Sequence, residues 1–387
     1  MTTILATIVV IGVLVFVHEL GHYLAARSVG IRVERFSVGF PPRLFTFISE
    51  DEGWLIQMYF FCRSSEGKWQ WQVIWKKKIS VLGKTGTGTE YCLALIPLGG
   101  YVKMAGIIDE SMDTIITSAP DEFMSKSFLS QVFVMSAGVI MNILFAFSVY
   151  TGLSYHFGKP VDNPPAIVSQ LVEGMPAKEA GVLPGDKIIS INGEPVDNWN
   201  DMALKIHSMP EKNITLEIDR DGKNITKQFT TSFSKTGVDT VGSIGISMER
   251  QYVDVDLLEA GVSGFNSTMV GFGIIVISVK MLITGEASLN ELGGPIMIAQ
   301  LAGETARAGL PTLLSFMALI SINLAFLNIL PIPGLDGGHI LISIIQAIIR
   351  KPLSLKTRMI FQQVGMAFLL LLMIIVFYND IGRLFIN

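Results

Sequence analysis

Long apolar runs separated by polar stretches dominate the pattern of this 387-residue chain. A helix needs about 20 mostly apolar residues to cross a bilayer. Four runs meet this requirement and predict transmembrane helices at 4–25, 128–152, 312–333 and 361–379. A fifth run, 265–283, is ambiguous, because its pattern fits either a membrane span or a helix that lies at the interface.

A different pattern occupies residues 160–250, where short apolar runs such as "AIVSQLV" and "DKIISING" alternate with turn residues. This alternation predicts a compact β-rich domain. The stretch "MPAKEAGVLPGDKIISINGEPV", with its Gly185-Asp186 turn before an apolar strand, resembles the PDZ domains of bacterial proteases. An unrelated small β domain is the alternative.

Composition supports a polytopic membrane protein. Half of the residues are hydrophobic and 16% are charged, and the mean hydropathy is +0.51. These values are typical of membrane proteins and not of soluble enzymes. The net charge of −4 argues against nucleic acid as a partner. Cys62 and Cys92 have neither the spacing of a metal-binding pair nor that of a disulfide framework.

The distribution of Lys and Arg predicts the orientation, because positive residues collect in cytoplasmic loops. Residues 27–127 hold 12 of the 29 Lys and Arg residues. The connection after 333 carries four more: Arg350, Lys351, Lys356 and Arg358. We therefore expect both segments in the cytoplasm and the β-rich domain on the other side. This orientation requires that 265–283 lie at the outer interface or dip into the membrane without crossing it.

The first span contains a candidate metal site, "FVHELGH" (16–22). Ionisable groups in hydrocarbon cost about 2.5 kcal/mol or more each, so they rarely lie there without a function. His18 and His22 are four residues apart and share one helix face, where both imidazoles can bind one zinc ion. Glu19 would be the general base toward the attacking water and would later protonate the leaving amine.

A catalytic zinc usually has three protein ligands and one open position, so a third ligand is required. The stretch "FLNILPIPGLDGGHILISI" places Asp336 at the end of the third span, among prolines and glycines that break a helix. Broken backbone at membrane depth is tolerated where it lines a cavity or is buried in protein. Asp336 is the favoured ligand, His339 is a rival, and an ordinary turn aspartate in a cytoplasmic loop is the alternative interpretation.

"HELGH" (18–22), "NILPIPGLDGGH" (328–339) and the interposed PDZ-like domain together resemble the site-2 protease family of intramembrane zinc metalloproteases. Within that family the chain is most similar to the group of the bacterial sigma-E regulatory protease RseP. Four further stretches look like that group: "RVERFSVGF" (32–40), "GTEYCLALIPLGGYVKM" (88–104), "SLNELGGPIMIAQ" (288–300) and "FYNDIGRL" (377–384). The resemblance implies zinc held by His18, His22 and Asp336, a catalytic Glu19, and four spans with both termini periplasmic.

The resemblance also implies substrate-binding residues. Residues 94–106 look like the family's membrane-reentrant β-hairpin, in which an exposed strand edge pairs with an unwound substrate. The residues concerned are Gly99, Gly100, Tyr101, Val102, Lys103 and Met104. A plain cytoplasmic hairpin is the alternative. Asn328 is expected to hold the substrate backbone, whereas Gly138 and Asn142 resemble a family G-x-x-x-N element that supports the core.

Two further segments lie outside the motifs for metal and substrate binding. The PDZ-like domain could bind a peptide C-terminus at its 242–246 strand, or could act as a size filter above the active site, and the sequence does not separate these hypotheses. Residues 45–82 depart from the group's pattern as a longer connection rich in tryptophan. They are interpreted as an inserted β-hairpin at the cytoplasmic interface.

Together these patterns predict a polytopic α-helical membrane protein with four transmembrane helices, a membrane-reentrant β-hairpin and one periplasmic PDZ-like β-rich domain. The expected segments are 1–127 with the first helix and the reentrant region, 128–158 with the second helix, and 159–250 as the PDZ-like domain. They are followed by 251–311 as a periplasmic linker with an interfacial helix and by 312–387 with the last two helices.

The function expected is zinc-dependent cleavage of transmembrane segments of single-pass proteins, such as a pre-trimmed anti-sigma factor or remnant signal peptides, in the bacterial inner membrane. The partners expected are the substrate helix, a peptide C-terminus at the PDZ-like domain and the lipid bilayer. A non-catalytic PDZ-bearing membrane adaptor is the alternative.

Overall fold

The computed structural model describes residues 2–63, 69–107, 117–161, 163–236, 239–248, 252–288 and 293–386. Residues 289–292 of the family-like stretch 288–300 lie outside this part of the chain. By internal packing the chain divides into two units. Unit 1 comprises 1–150, 264–276 and 290–387, and unit 2 comprises 151–263 and 277–289.

Nine α-helices occur in the described residues: α1 (Thr2–Ser28), α2 (Phe128–Phe157), α3 (Pro176–Glu179), α4 (Trp199–His207), α5 (Leu257–Thr284), α6 (Pro295–Ala308), α7 (Leu310–Ile329), α8 (Asp336–Ile349) and α9 (Leu355–Ile386). Five of them, α1, α2, α5, α7 and α9, are long and apolar enough to cross a membrane by length and composition. The chain is therefore a multi-pass membrane protein.

The four uniformly apolar runs are confirmed as long helices, with one difference in extent. The predicted span 312–333 ends earlier, because α7 stops at Ile329 and the chain is not helical again until Asp336. Pro331 and Pro333 explain the break, since proline lacks a backbone donor and cannot continue a helix. The ambiguous run 265–283 lies within the 28-residue helix α5.

Glycines allow the break between α7 and α8 to fold tightly. A Cβ atom on Gly337 would collide with the backbone carbonyls of Leu330 and Ile329, and one on Gly338 would collide with that of Ile332. The backbone of 329–333 therefore rests directly on the first turn of α8. This turn begins with Asp336, whose position is thus determined by the turn that the prolines and glycines create.

Four strands in unit 1 form one sheet in the order β3-β2-β1-β4. They are β1 (Val33–Glu50), β2 (Gly53–Arg63), β3 (Trp69–Ser80) and β4 (Glu90–Met104). The hairpin predicted within 45–82 is confirmed as β2 and β3, which pair antiparallel. The hairpin belongs to the same sheet as β1, since β2 also pairs with β1.

Strands β1 and β4 each bend, so that each contributes two segments to the sheet. Residues 33–38 of β1 pair with 100–104 of β4, and residues 43–48 pair with 90–94. Residues 35–38 also lie beside 90–93. The 99–104 segment therefore lies at the edge of the sheet, and its outer side has no strand partner in the described part of the chain.

Unit 1 has two apolar cores along its first helix, one toward each end. Near the end of α1, Ala26, Val33 and Val134 are fully buried together with side chains of the sheet. Near its beginning, Val10 and Leu14 pack with Ala302 of α6 and Met317 of α7. Helix α1 is thus held at both ends, which fixes the position of the histidines between them.

Unit 2 contains the remaining strands: β5 (Lys159–Pro160), β6 (Gln170–Leu171), β7 (Lys187–Ile191), β8 (Glu194–Pro195), β9 (Asn213–Arg220), β10 (Lys223–Thr230), β11 (Ser232–Thr236), β12 (Asp239–Ser243), β13 (Ile246–Ser247) and β14 (Tyr252–Val253). Its main sheet has the order β10-β9-β7-β8. Ile188, Leu216 and Ile218 are fully buried in its own core. The β-rich character predicted for 160–250 is confirmed.

Candidate metal centre

Helix α1 brings His18 and His22 together. The two residues are one helical turn apart, and both side chains are buried, with relative exposures of 7% and 5%. Their Nε2 atoms lie 3.2 Å from each other. The i, i+4 spacing thus places two nitrogen ligands on one face of a helix, as the sequence predicts.

Asp336, the first residue of α8, completes the cluster. Its Oδ2 atom lies 3.2 Å from His18 Nε2 and 3.3 Å from His22 Nε2. This oxygen is buried and has no hydrogen-bond partner among the described residues. A buried carboxylate oxygen facing two imidazole nitrogens is typical of a metal centre, because a cation would satisfy all three atoms at once.

The spacing of the three atoms fits zinc. Donor atoms about 2.0–2.1 Å from a tetrahedral zinc ion lie about 3.3–3.4 Å from one another. The three observed separations are 3.2, 3.2 and 3.3 Å. Two histidines and a carboxylate are also a ligand set that catalytic zinc sites use. Within the described residues, these three side chains form a candidate metal cluster.

The second nitrogen of each imidazole has its own partner in α2. Nδ1 of His22 lies 2.8 Å from the backbone carbonyl of Val134. Nδ1 of His18 lies 3.2 Å from the side-chain amide of Asn142. Such partners orient metal-binding histidines. The sequence pointed to Asn142 through the G-x-x-x-N element, but carried no signal for the Val134 carbonyl.

A small residue lets α2 approach the imidazoles. A Cβ atom on Gly138 would lie 2.5 Å from His22 Nε2 and 2.6 Å from His18 Cε1. A Cβ atom on Gly21 of α1 would in turn meet the carbonyl of Ala137. The close contact of the two helices therefore depends on glycine on both sides.

The cluster opens into a cavity of about 700 Å³ within unit 1. Glu19, the residue after the first ligand, is half-buried and lines this cavity together with the 99–104 edge of β4. The Glu19 carboxylate also interacts with the backbone of Val102 on that edge. The candidate base, the candidate metal cluster and an open strand edge thus border one space.

The remaining residues predicted for substrate binding also face this cavity. Gly99, Gly100, Tyr101, Lys103, Met104 and Asn328 contribute to its lining. The amide nitrogen of Asn328 lies 3.3 Å from His18 Nε2. His339, the rival ligand, lines the cavity but is not one of the three clustered side chains.

The cavity includes residues that the sequence analysis did not single out. Arg35 and Phe40 of β1 are part of the wall. Arg35 donates hydrogen bonds to Glu90 at 2.7 Å and to the Tyr101 hydroxyl at 3.0 Å. Arg35 lies within "RVERFSVGF", but nothing in that stretch alone assigns the arginine to the site. The segment 242–246, where the sequence analysis places a possible peptide site, belongs to unit 2 and is not among the residues that line this cavity.

Comparison with known proteins agrees with this arrangement. The model of peptidase family M50 matches residues 6–68 and 68–372. Zinc metalloprotease RasP of Bacillus licheniformis is 30% identical over the full length of both chains. The regulator of sigma-W protease RasP of Bacillus subtilis is 30% identical over 99% of each chain, and zinc metalloprotease RasP of Geobacillus kaustophilus is 27% identical over 99% of each. Because the family model covers nearly the whole sequence, the chain belongs to peptidase family M50, the site-2 type of zinc metalloprotease.

Proposed function

We propose that this metalloprotease is an endopeptidase that cuts transmembrane segments within the membrane. The observation that carries the proposal is the cluster of His18 Nε2, His22 Nε2 and Asp336 Oδ2, all 3.2–3.3 Å apart. Two of these ligands belong to a 27-residue apolar helix that is long enough to span a bilayer. A protease whose metal site lies in such a helix meets its substrate at membrane depth.

His18, His22 and Asp336 would hold the zinc ion. Zinc, when bound, supplies the Lewis acidity that makes a water nucleophilic near neutral pH. Glu19 takes the proton from the attacking water and returns it to the leaving amine nitrogen as the peptide bond breaks. The Asn328 amide, next to His18, is placed to donate a hydrogen bond to the substrate backbone.

The 99–104 edge would hold the substrate as an added strand. A transmembrane helix hides its peptide bonds in internal hydrogen bonds, and the attacked segment must therefore unwind. Backbone groups released from the helix need new partners in a dry site. An edge strand supplies them in register, because the outer side of the 99–104 segment has no strand partner in the described part of the chain.

The proposed placement in the membrane follows the loop charges. The active site would lie near the cytoplasmic side of the bacterial inner membrane, with both termini and unit 2 periplasmic. Four helices would cross, while α5 would enter the membrane without crossing it. A contact within unit 1 supports entry: Phe272 of α5 packs edge-on against Phe326 of α7, with ring centroids 5.6 Å apart. Phe326 is two residues before Asn328, at the level of the metal site.

Unit 2 would be the PDZ-like domain, with a peptide C-terminus or a bulky substrate domain as its contact. The substrates proposed are single-pass proteins already trimmed outside the membrane, such as an anti-sigma factor, or remnant signal peptides. The name of the Bacillus subtilis relative, a regulator of sigma-W protease, supports a substrate in sigma-factor control. The adaptor alternative requires no assembled ligand set and has no observation in its favour.

The test measures bound zinc and cleavage of a model transmembrane peptide on the same detergent-purified samples. The wild type should hold one zinc ion per chain and cut the peptide. Glu19→Gln should keep the zinc and lose cleavage, because the ligands remain and the base does not. Asp336→Ala should lose both.

His339→Ala is the matched control for the third ligand, since this residue lines the cavity outside the cluster. It should keep its zinc. Undiminished cleavage by Glu19→Gln would refute the assignment of the base. Full zinc content in Asp336→Ala, with zinc loss in His339→Ala, would show that the metal is held by a different set of ligands.

A further inference from the structure

The two zinc-binding histidines differ in the partner of their second nitrogen. His22 Nδ1 faces a backbone carbonyl, that of Val134, at 2.8 Å. A carbonyl can only accept, so this contact leaves the proton on Nδ1 and the lone pair on Nε2. His18 has no carbonyl there. Its Nδ1 faces the side-chain amide of Asn142, whose nitrogen Nδ2 lies 3.2 Å away, and Asn142 is fully buried.

His18 must have the same tautomer as His22 to bind a metal through Nε2. Its Nε2 atom points at the other two ligands, 3.2 Å from Asp336 Oδ2 and 3.2 Å from His22 Nε2. The proton of the neutral ring then belongs on Nδ1 and requires an acceptor. Of the two ends of the Asn142 amide, the oxygen alone can accept a hydrogen bond.

The Asn142 oxygen is available for this role. Oδ1 is buried and has no hydrogen-bond partner within the described part of the chain. The two ends of an amide have nearly the same shape, and half a turn of the side chain exchanges them within the same space. No hydrogen bond of Oδ1 is lost when it turns toward His18, because none of the described residues forms one with it.

We propose that Asn142 is a positioning residue of the metal centre, whose side-chain oxygen accepts the Nδ1–H of His18 and thereby fixes the tautomer and ring plane of that ligand. This inference rests on the proposed zinc site and adds a role that support of the helix core does not include. A core-supporting asparagine would affect the packing of α2, whereas a positioning asparagine controls the metal affinity.

Asn142 is itself held from a third helix. Its backbone carbonyl accepts a hydrogen bond from the Ser321 hydroxyl of α7 at 2.9 Å, and both residues are fully buried. This bond uses the backbone of Asn142 and leaves its side chain unaffected. Ser321→Ala therefore disturbs the same helix contact without changing the acceptor for His18, and is the matched control.

The experiment measures zinc affinity by competition with a chelator in detergent-purified, full-length protein. Asn142→Leu keeps the branching of the side chain at Cγ and removes the acceptor, and should weaken zinc binding about 10–100-fold, the usual effect of losing such a partner. Asn142→Asp keeps an acceptor at the same place and should bind zinc at least as tightly as the wild type. Ser321→Ala should bind zinc as the wild type does.

A spectroscopic readout separates positioning from packing. Co²⁺ in place of zinc gives visible absorption that depends on ligand geometry. Asn142→Leu should change this spectrum and Asn142→Asp should retain it, while thermal unfolding of the metal-free proteins stays close to that of the wild type. Asn142→Ala serves the same purpose if the leucine variant does not fold.

Wild-type zinc affinity in Asn142→Leu or Asn142→Ala would overturn the inference. Equal losses in Asn142→Leu and Ser321→Ala would also overturn it, because they would indicate general packing. A loss in Asn142→Asp as large as that in Asn142→Leu would contradict the need for an acceptor. A wild-type protein that binds no zinc would instead refute the proposed metal site, and the inference with it.

Discussion

Gly138 lies directly against the imidazole of His22: a Cβ atom on this glycine would be 2.5 Å from Nε2. That nitrogen is a proposed ligand atom, so any side chain at 138 competes with the metal for space. Gly138→Ala should displace one or both imidazoles and weaken zinc binding by at least about tenfold, since ligand orientation sets metal affinity. Chelator competition measures the change.

Gly152→Ala is the control for this prediction. Gly152 lies on the same helix α2, and nothing is within 4 Å of a Cβ atom built on it. This variant should keep both zinc affinity and stability. Unaltered zinc binding in Gly138→Ala would mean that α2 can move away from α1 without cost.

Asn328 should affect catalysis more than metal binding. Its amide nitrogen is 3.3 Å from His18 Nε2 and borders the cavity. If this amide stabilises the substrate carbonyl as charge develops on it, Asn328→Leu should lower kcat about 100-fold or more and leave one zinc per chain. Single-turnover cleavage and metal analysis test this together. Asn323→Leu, one and a half turns earlier on α7, is the control and should retain kcat.

Strand addition at the 99–104 edge predicts an alternating effect along the substrate. Side chains and backbone groups of a strand repeat every two residues. N-methylation of substrate residues whose N–H faces the edge should lower kcat/KM about tenfold for each lost hydrogen bond. Methylation of the residues between them should have a smaller effect. A uniform effect at every position would exclude this mode of binding.

Asp380 should control the stability of α6. Its carboxylate, 3% exposed, accepts hydrogen bonds from the backbone N–H groups of Gly294 at 3.0 Å and Ile296 at 2.9 Å. It thus caps the beginning of α6 from α9. Asp380→Ala should lower the free energy of unfolding by about 1–3 kcal/mol. It should also speed hydrogen exchange in the first turn of α6. Tyr378→Phe, at an exposed position two residues away, should leave exchange unchanged.

Asp186 should make the stability of unit 2 depend on pH. Burial acts to raise the pKa of its carboxyl, but two hydrogen bonds from Arg220 and one from the Leu183 N–H outweigh burial and hold the pKa below its ordinary value. The folded state therefore binds the proton less tightly than the unfolded state. The resulting stabilisation is present above the ordinary pKa near 3.8 and is lost as the pH falls through the lower, folded-state value.

Asp186→Asn should lower the free energy of unfolding of unit 2 by about 1.5–3 kcal/mol at pH 7. The difference in the free energy of unfolding between this variant and the wild type should become smaller in acid. Limited proteolysis of 183–220 at several pH values measures both effects. Asp221→Asn, at an exposed neighbouring position, is the control. A difference that stays constant with pH would contradict the assigned role of the carboxylate.

The sequence by itself determined the features that depend on local geometry. The helix period places His18 and His22 on one face, whatever the rest of the chain does. The lengths of the apolar runs predict the membrane helices, and prolines 331 and 333 predict the break before Asp336. The early end of α7 differs from the predicted span because hydropathy continues through 333 while helical hydrogen bonding does not.

The tertiary structure decided what depends on packing between distant segments. It placed Asp336 3.2 Å from His18, although 317 residues separate them in the chain, and so favoured it over His339 within the described residues. It also assigned the Val134 carbonyl to His22 and made 99–104 the edge of a sheet that includes the 45–82 hairpin. Backbone carbonyls are present at every residue, and a strand edge depends on all the other strands. Neither leaves a local signal in the sequence.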